Sequence, residues 1–256
     1  MRRIQAIRAH TAPAASTSAA SGAASVSPAF RLAQPSPNPY VPGQRQAPPF
    51  PCGADDFVEI ESQPGFDPNF YKVFISSLVP RCVALVSTRG PTGVSNLAPY
   101  SFFNGMAFDP PIVVFGSIAR RNLPGGMSDT HRNLVETGEC VVQIISEWYA
   151  EAANHSTGAF EYDVDEIQAA GLTTLPTTPK LTSGVPRIAE AAVQMECTLD
   201  HLVPIKNDEG QVTSTICVCR VQTFHVNRAV YDKAAGVVDV GKLRPIARLG
   251  GDADVK

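Results

Sequence analysis

The chain has 256 residues, 44% of them apolar and 18% charged, with a formal net charge of −3. That is enough for one core of ordinary size plus extensions, and no run reaches the roughly 18 apolar residues that a membrane-spanning helix needs. The charge is divided: residues 1–54 hold five arginines and neither lysine nor acid, whereas residues 55–256 carry 16 basic and 24 acidic groups, an acidic body that speaks against nucleic acid as a partner because phosphate recognition needs a basic face.

Residues 11–29 are mostly Ala, Ser, Thr and Pro, and seven prolines fall within 35–51. Such composition does not support a packed core. An Arg-rich, Ser-rich, acid-free beginning is that of an organellar targeting segment, so residues 1–54 are expected to be a targeting or linker segment. The expected location is mitochondrial, with the cytoplasm as the alternative, and the folded domain is expected over 55–256.

In chain order, Phe57-Val58-Glu59-Ile60 alternates like an edge strand. Asp67-Pro68 opens a helix, with Asp67 as cap, Pro68 at the first helical position, Phe70, Val73, Phe74 and Leu78 at helical spacing, and Pro80 as stop. Cys82-Val83-Ala84-Leu85-Val86 reads as a buried strand ending in Ser87-Thr88, and Arg89-Gly90-Pro91-Thr92-Gly93 as a turn into a partner strand. That partner belongs to Ser95-Asn96-Leu97-Ala98-Pro99-Tyr100-Ser101-Phe102-Phe103-Asn104, a strand expected to leave its ladder at Pro99. Residues 112–116 form a strand ending at Ser117, and Ser128-Asp129-Thr130 starts a helix. Further strands are expected over 139–145, 192–199, 212–226 and 237–248, with short helices over 147–154 and 165–170 and a proline-marked loop over 172–187. Asn207-Asp208-Glu209-Gly210 is a hairpin turn. Six or more strands without regular βαβ alternation point to closed antiparallel β structure with peripheral helices.

Five of the six cysteines, Cys82, Cys140, Cys197, Cys217 and Cys219, sit in apolar runs and read as buried small hydrophobes. The five histidines make no metal-binding spacing, so no metal is expected. There is no G-x-G-x-x-G and no Walker loop.

The ordered series Pro80-Arg81, Val86-Ser87-Thr88, residues 95–104, Asp109-Pro110-Pro111, Asp129-Thr130-x-x-Asn133, Thr137-Gly138-Glu139, Pro186-Arg187-Ile188, Glu196-Cys197 and Pro245-Ile246-x-Arg248-Leu249-Gly250-Gly251 resembles the flavin reductase-like, FMN-binding split-barrel family over about residues 70–251. The resemblance implies a mainly β fold, a six-stranded antiparallel split β-barrel of Greek-key type with short peripheral helices, and a homodimer with flavin near the subunit interface. It also implies an oxidoreductase with FMN as cofactor and NADH or NADPH as transient electron donor, acting on a small-molecule substrate or electron acceptor. The alternative is a non-enzymatic FMN-binding protein or a dimeric scaffold. On this reading Asn96, Leu97 and Ala98 face the flavin ring and ribityl chain, Ser101, Asn104, Ser87, Thr88 and Ser95 supply further polar contacts, and Ser117, Ser128 and Thr130 face the phosphate at the helix start. Tyr100, Phe102 and Phe103 are read as core or dimer contacts. Family members often carry lysine where this chain has Ser128; Arg120 and Arg121 are candidates to replace its charge. Catalytic residues are left unassigned, since hydride transfer is the cofactor's chemistry.

Overall fold

A computed structural model describes residues 5–6, 41–45, 48–119, 126–158 and 160–250. Two compact units are present, Met1–Arg8 with Ser62–Lys256, and Ala9–Glu61. In the smaller unit Ala54–Asp56 form a short 3-10 turn. Residues 57–60 make no strand, contrary to the expectation; their apolar side chains are exposed rather than set against a partner ladder.

The larger unit is mainly β. Its seven-stranded antiparallel sheet contains β1 (Ala84–Arg89), β2 (Ser95–Tyr100), β3 (Phe103–Phe108), β4 (Pro111–Ile118), β5 (Glu139–Ile144), β6 (Val193–Lys206) and β7 (Val212–Val226), in the order β2-β1-β5-β6-β7-β4-β3. Seven strands replace the expected six because the 95–104 stretch is not one broken strand. Pro99 stays in the ladder opposite Leu85. The N–H of Leu97 points away from β1, to Glu166, and Pro99, two residues on, turns its donorless nitrogen to that same outer edge, where no ladder bond is lost. The chain breaks instead at Ser101-Phe102 and re-enters as β3. A bulge between Gly105 and Ala107 disturbs the alternation of β3 and hides it from a period-two reading.

β1 is buried on both faces, which accounts for its unbroken apolar run. Ala84 and Val86 join Phe115, Cys140, Val142, Cys197, Cys217 and Cys219 in one core. Val83 and Leu85 join Leu97, Ile145, Tyr149, Ile167 and Ile188 in the other, under α3 (Ala150–His155) and α4 (Glu166–Ala169). Four cysteines are buried as expected, but Cys82 is exposed. The expected closing strand over 237–248 is broken into Val237–Val238, a helical turn Val240–Leu243 capped by Asp239, and Ile246–Arg248, which pairs with Arg81–Cys82.

Helix α1 (Pro68–Ser77) starts as anticipated: the Asp67 carboxylate accepts from the N–H groups of Asn69 and Phe70 at 2.8 and 3.3 Å. Its apolar stripe is not where a core helix would put it, since only Ile75 is buried and Val73, Phe74 and Leu78 stay exposed. Further apolar side chains are exposed on the sheet: Phe108 (95%) and Met106 (62%) on β3, and Ile118, Ile205, Val212 and Ile216 on β4, β6 and β7.

The long loop before β6 is held by two carboxylates. Glu139 accepts from the N–H groups of Thr182 and Ser183, and Glu196 from Thr178 and His225. Burial pushes both carboxyls up, but these hydrogen bonds together outweigh it and hold both below the ordinary value of 4.5. A depressed carboxyl stabilises the fold above its unfolded pKa and loses that contribution as pH falls. The double variant Glu139→Gln/Glu196→Gln is therefore expected to lose about 2–4 kcal/mol at neutral pH and to show a shallower further loss between about pH 5 and pH 3, read from urea melts at each pH.

Candidate functional site

The β1–β2 hairpin and the start of α2 (Asp129–Thr137) build one polar network. Thr88 and Asn96 are cross-strand partners. The Asn96 amide donates to Thr88 Oγ1 at 3.1 Å and to Thr130 Oγ1 at 2.8 Å. Asn133, one turn further along α2, donates to the same Thr88 oxygen at 3.1 Å, and its carbonyl accepts from the Tyr162 hydroxyl at 3.1 Å. Gly90 permits this approach: a Cβ there would lie 2.6 Å from the Tyr162 oxygen and 2.8 Å from Asn133 Oδ1. Ser128 caps α2 by accepting from the His131 N–H, and its hydroxyl lies 2.9 Å from that of Ser117 at the end of β4. The Tyr100 hydroxyl meets Thr130, Ser128 and Ser117; burial raises its pKa against those hydrogen bonds and keeps the phenol protonated.

Thr88, Asn96, Ser117, Ser128 and Thr130, chosen from the sequence, are thus brought together. Thr88, Asn96, Ser117 and Thr130 are buried, and their groups are neutral hydroxyls and amides. Asn133, Tyr100 and Tyr162 complete the network and were not chosen. Asn133 lies three residues after Thr130, on the same helix face, which is a legible signal. Tyr162 sits in a loop, its ring under the Arg132 guanidinium at 4.2 Å, with no local pattern to mark it.

The other expected residues lie elsewhere. Ser87 points to the opposite face from Thr88 and donates to the Pro186 carbonyl at 2.6 Å, tying down the long loop. Leu97 is fully buried in the core, and its N–H is taken by the Glu166 carboxylate at 3.2 Å. Ser95 is buried at the start of β2 and Ala98 half-buried in its middle. Ser101 and Asn104 flank Phe102 and Phe103 on the wall of a cavity of about 790 Å³. Arg120 and Arg121 lie outside the described residues.

That cavity opens where β2 passes into β3. Its wall is mainly apolar, with Phe74, Phe102, Phe103 and Phe115 as aromatic surfaces, and it adjoins the polar network through the run Phe115-Gly116-Ser117 of β4. The approach of the two segments is close: the Gly116 N–H donates to the Phe102 carbonyl at 2.9 Å, and a Cβ on Gly116 would already touch Phe102 at 3.4 Å. A polar, hydroxyl-rich cradle beside an aromatic-walled hollow suits a ligand with a polyol arm and a flat ring.

Glu166 covers the outer edge of β2. Burial, with the nearby Asp129 and Asp165 charges, outweighs its hydrogen bonds and raises its pKa to about 7. The folded chain therefore keeps a proton that the unfolded chain has released between 4.5 and about 7, and stability falls as pH rises through that window. Glu166→Gln retains an acceptor for the Leu97 N–H and is expected to abolish this slope, so that the variant gains stability relative to the parent at about pH 8 but not at about pH 5, measured by thermal melts.

Residues 76–244 match the family model described as flavin reductase like domain. An uncharacterized protein of Bacillus subtilis, YwrF, is 36% identical over 182 residues, covering 71% of this chain and 86% of its own. Among solved structures, nitrilotriacetate monooxygenase component B from Bacillus cereus is 33% identical with a TM-score of 0.71, over 77% of this chain and 94% of that one. A Shewanella frigidimarina protein described as having a split barrel domain shares the fold at 18% identity and a TM-score of 0.60, over 73% of this chain and 88% of that one.

Proposed function

Since the chain belongs to the flavin reductase-like family, a group of flavoprotein oxidoreductases, we propose that it binds FMN and takes its electrons from NADH or NADPH. The observation that carries this reading is the junction of the Thr88–Asn96–Thr130 network with the aromatic-walled cavity. The residues fit the group. Asn96, Thr130 and the protonated Tyr100 offer neutral donors and acceptors to a ribityl chain, and Ser117 and Ser128 offer hydroxyls to a phosphate at the first turn of α2. Ser101, Asn104 and the phenylalanines beside them would face the ring. The chemistry that a bound flavin supplies is two-electron transfer through its N5. The protein's part is to hold the group, orient it and keep water from one face. Ser95 and Ala98 support the edge from which β2 presents its backbone carbonyls, while Leu97 and Ser87 act through packing and the loop.

The test is the absorbance spectrum of the purified protein with and without FMN, followed by anaerobic addition of NADH and NADPH. Bleaching of the bound flavin by either nucleotide is expected, and Asn96→Ala or Thr130→Val is expected to weaken FMN binding by tenfold or more, read by fluorescence titration. Ser128 in place of a lysine favours a second reading, a flavin carrier without nucleotide-driven turnover. A yellow protein that neither nucleotide reduces would establish it and discard the first.

We further propose that the end strand β3, where Met106 and Phe108 are exposed, is covered by a second copy of the chain, as apolar area of this kind is rarely left in water. Phe108→Glu is expected to convert the dimer to monomer in size-exclusion chromatography with light scattering, with little change in the melting temperature of the isolated fold.

A further inference from the structure

The start of α2 has an acidic flank. Glu166, at the first position of α4, is 5% exposed, and its Oε2 accepts from the Leu97 N–H at 3.2 Å. That nitrogen is bonded to Asn96, whose amide donates to Thr130 Oγ1 at 2.8 Å. One peptide unit and one side chain therefore separate the carboxyl from the hydroxyls at the start of α2, a span on the order of 10 Å. The charges that act on Glu166 are Asp129, buried in the first turn of α2, and Asp165, its neighbour and the cap of α4, and both are acids. Arg132 of α2 lies over the Tyr162 ring. Tyr149, in the apolar core beneath, stays protonated, and burial holds His131 of α2 below the ordinary 6.5, so neither answers with positive charge at neutral pH.

Burial and these acids make ionisation of Glu166 costly. Protonation loses no hydrogen bond, because a neutral carboxyl still offers its carbonyl oxygen to the Leu97 N–H. A further negative charge on the cradle adds to the cost of the ionised form alone. At about 10 Å and an effective dielectric near 20, each unit of such charge shifts the balance about tenfold. We propose that Glu166 sets the charge selectivity of the cradle: binding of a flavin's phosphate draws a proton from solvent onto the Glu166 carboxyl, and where that carboxyl stays ionised the cradle favours an uncharged flavin over a phosphorylated one. The proton returns to solvent when the flavin leaves. Glu166 acts through its field across Asn96 and Thr130 and has no need to touch the ligand. This rests on the reading that the cradle holds FMN and adds to it the residue that couples binding to pH.

The test uses the full chain and two flavins, FMN and riboflavin, which lacks the phosphate. Each is titrated by fluorescence at about pH 6 and pH 8, on either side of the Glu166 pKa of about 7. Glu166→Gln keeps the acceptor for Leu97 and meets the same change in the ligand's own ionisation, so the difference between parent and variant isolates this residue. At pH 8 the variant is expected to bind FMN at least fivefold more tightly than the parent and riboflavin within twofold; at pH 6 the two chains are expected to agree within twofold for both flavins. An equal gain for the two flavins, a gain that persists at pH 6, or no gain at pH 8 overturns the proposal. Infrared difference spectra of the 13C-labelled parent at pH 8, in which protein carboxyl bands are separated from flavin carbonyls, supply a second measurement that needs no variant. A protonated carboxyl band is expected to appear on addition of FMN and not of riboflavin; its absence with FMN, or its appearance with both, overturns the proposal even if Glu166→Gln does not fold. Failure of both flavins to bind at either pH removes the FMN reading and this inference with it, whereas binding without the contrast removes this inference alone.

Discussion

Two residues, Ser101 and Phe102, connect strands that lie at opposite ends of a seven-stranded order. A connection of that length reaches only about 10 Å, so the two ends of the sheet are drawn towards each other and the sheet must curl. The Gly116 N–H on the Phe102 carbonyl fixes the approach from the β4 side. Both parts of the candidate site follow from this constraint. The start of α2 meets the end of β4 through Ser117 and Ser128 and the β1–β2 hairpin through Thr88, Asn96 and Thr130, and the cavity is the hollow left beside the connection.

The network at the start of α2 is satisfied largely by its own members. Thr88 accepts from two amides, and Asn133 both donates to Thr88 and accepts from Tyr162. Buried polar groups arranged in this way hold fixed positions, because moving one leaves another without a partner in a medium of low dielectric. That makes the cradle pre-organised and neutral. The charges near it, on Glu166 and Asp129, are carboxylates, and burial answers the first of these by raising its pKa until it is partly protonated near neutral pH. Acidic groups thus remain around a cradle made of hydroxyls and amides, while Arg81 stands in the wall of the neighbouring cavity.

Much of the polar site was legible because local rules place it. A β1 strand ending in Ser87-Thr88 and a helix capped by Ser128 follow from period-two alternation and capping chemistry, and Thr88, Asn96 and Thr130 duly converge. Ser87 shows the limit of that reasoning: it is adjacent to Thr88, yet the alternation of the strand sends its hydroxyl to a loop carbonyl 99 residues away in sequence. Pro99 shows another, since a proline within a strand is harmless when its nitrogen faces an edge, and only the pairing partner reveals which way it faces. β3 escaped notice because a bulge removes its alternation.

The sequence by itself determined helix α1, the strands β1, β4, β5 and β7, the caps of α1 and α2 and the family, since these depend on neighbours within a few residues or on an ordered series of motifs. Tertiary structure alone decided that Arg81 would be buried among backbone carbonyls, that Glu166 would cover the N–H of Leu97, and that the face carrying Phe108 would stay bare. The physical reason is that burial and pairing of a side chain are set by groups distant in the chain, and no local pattern encodes which distant group arrives.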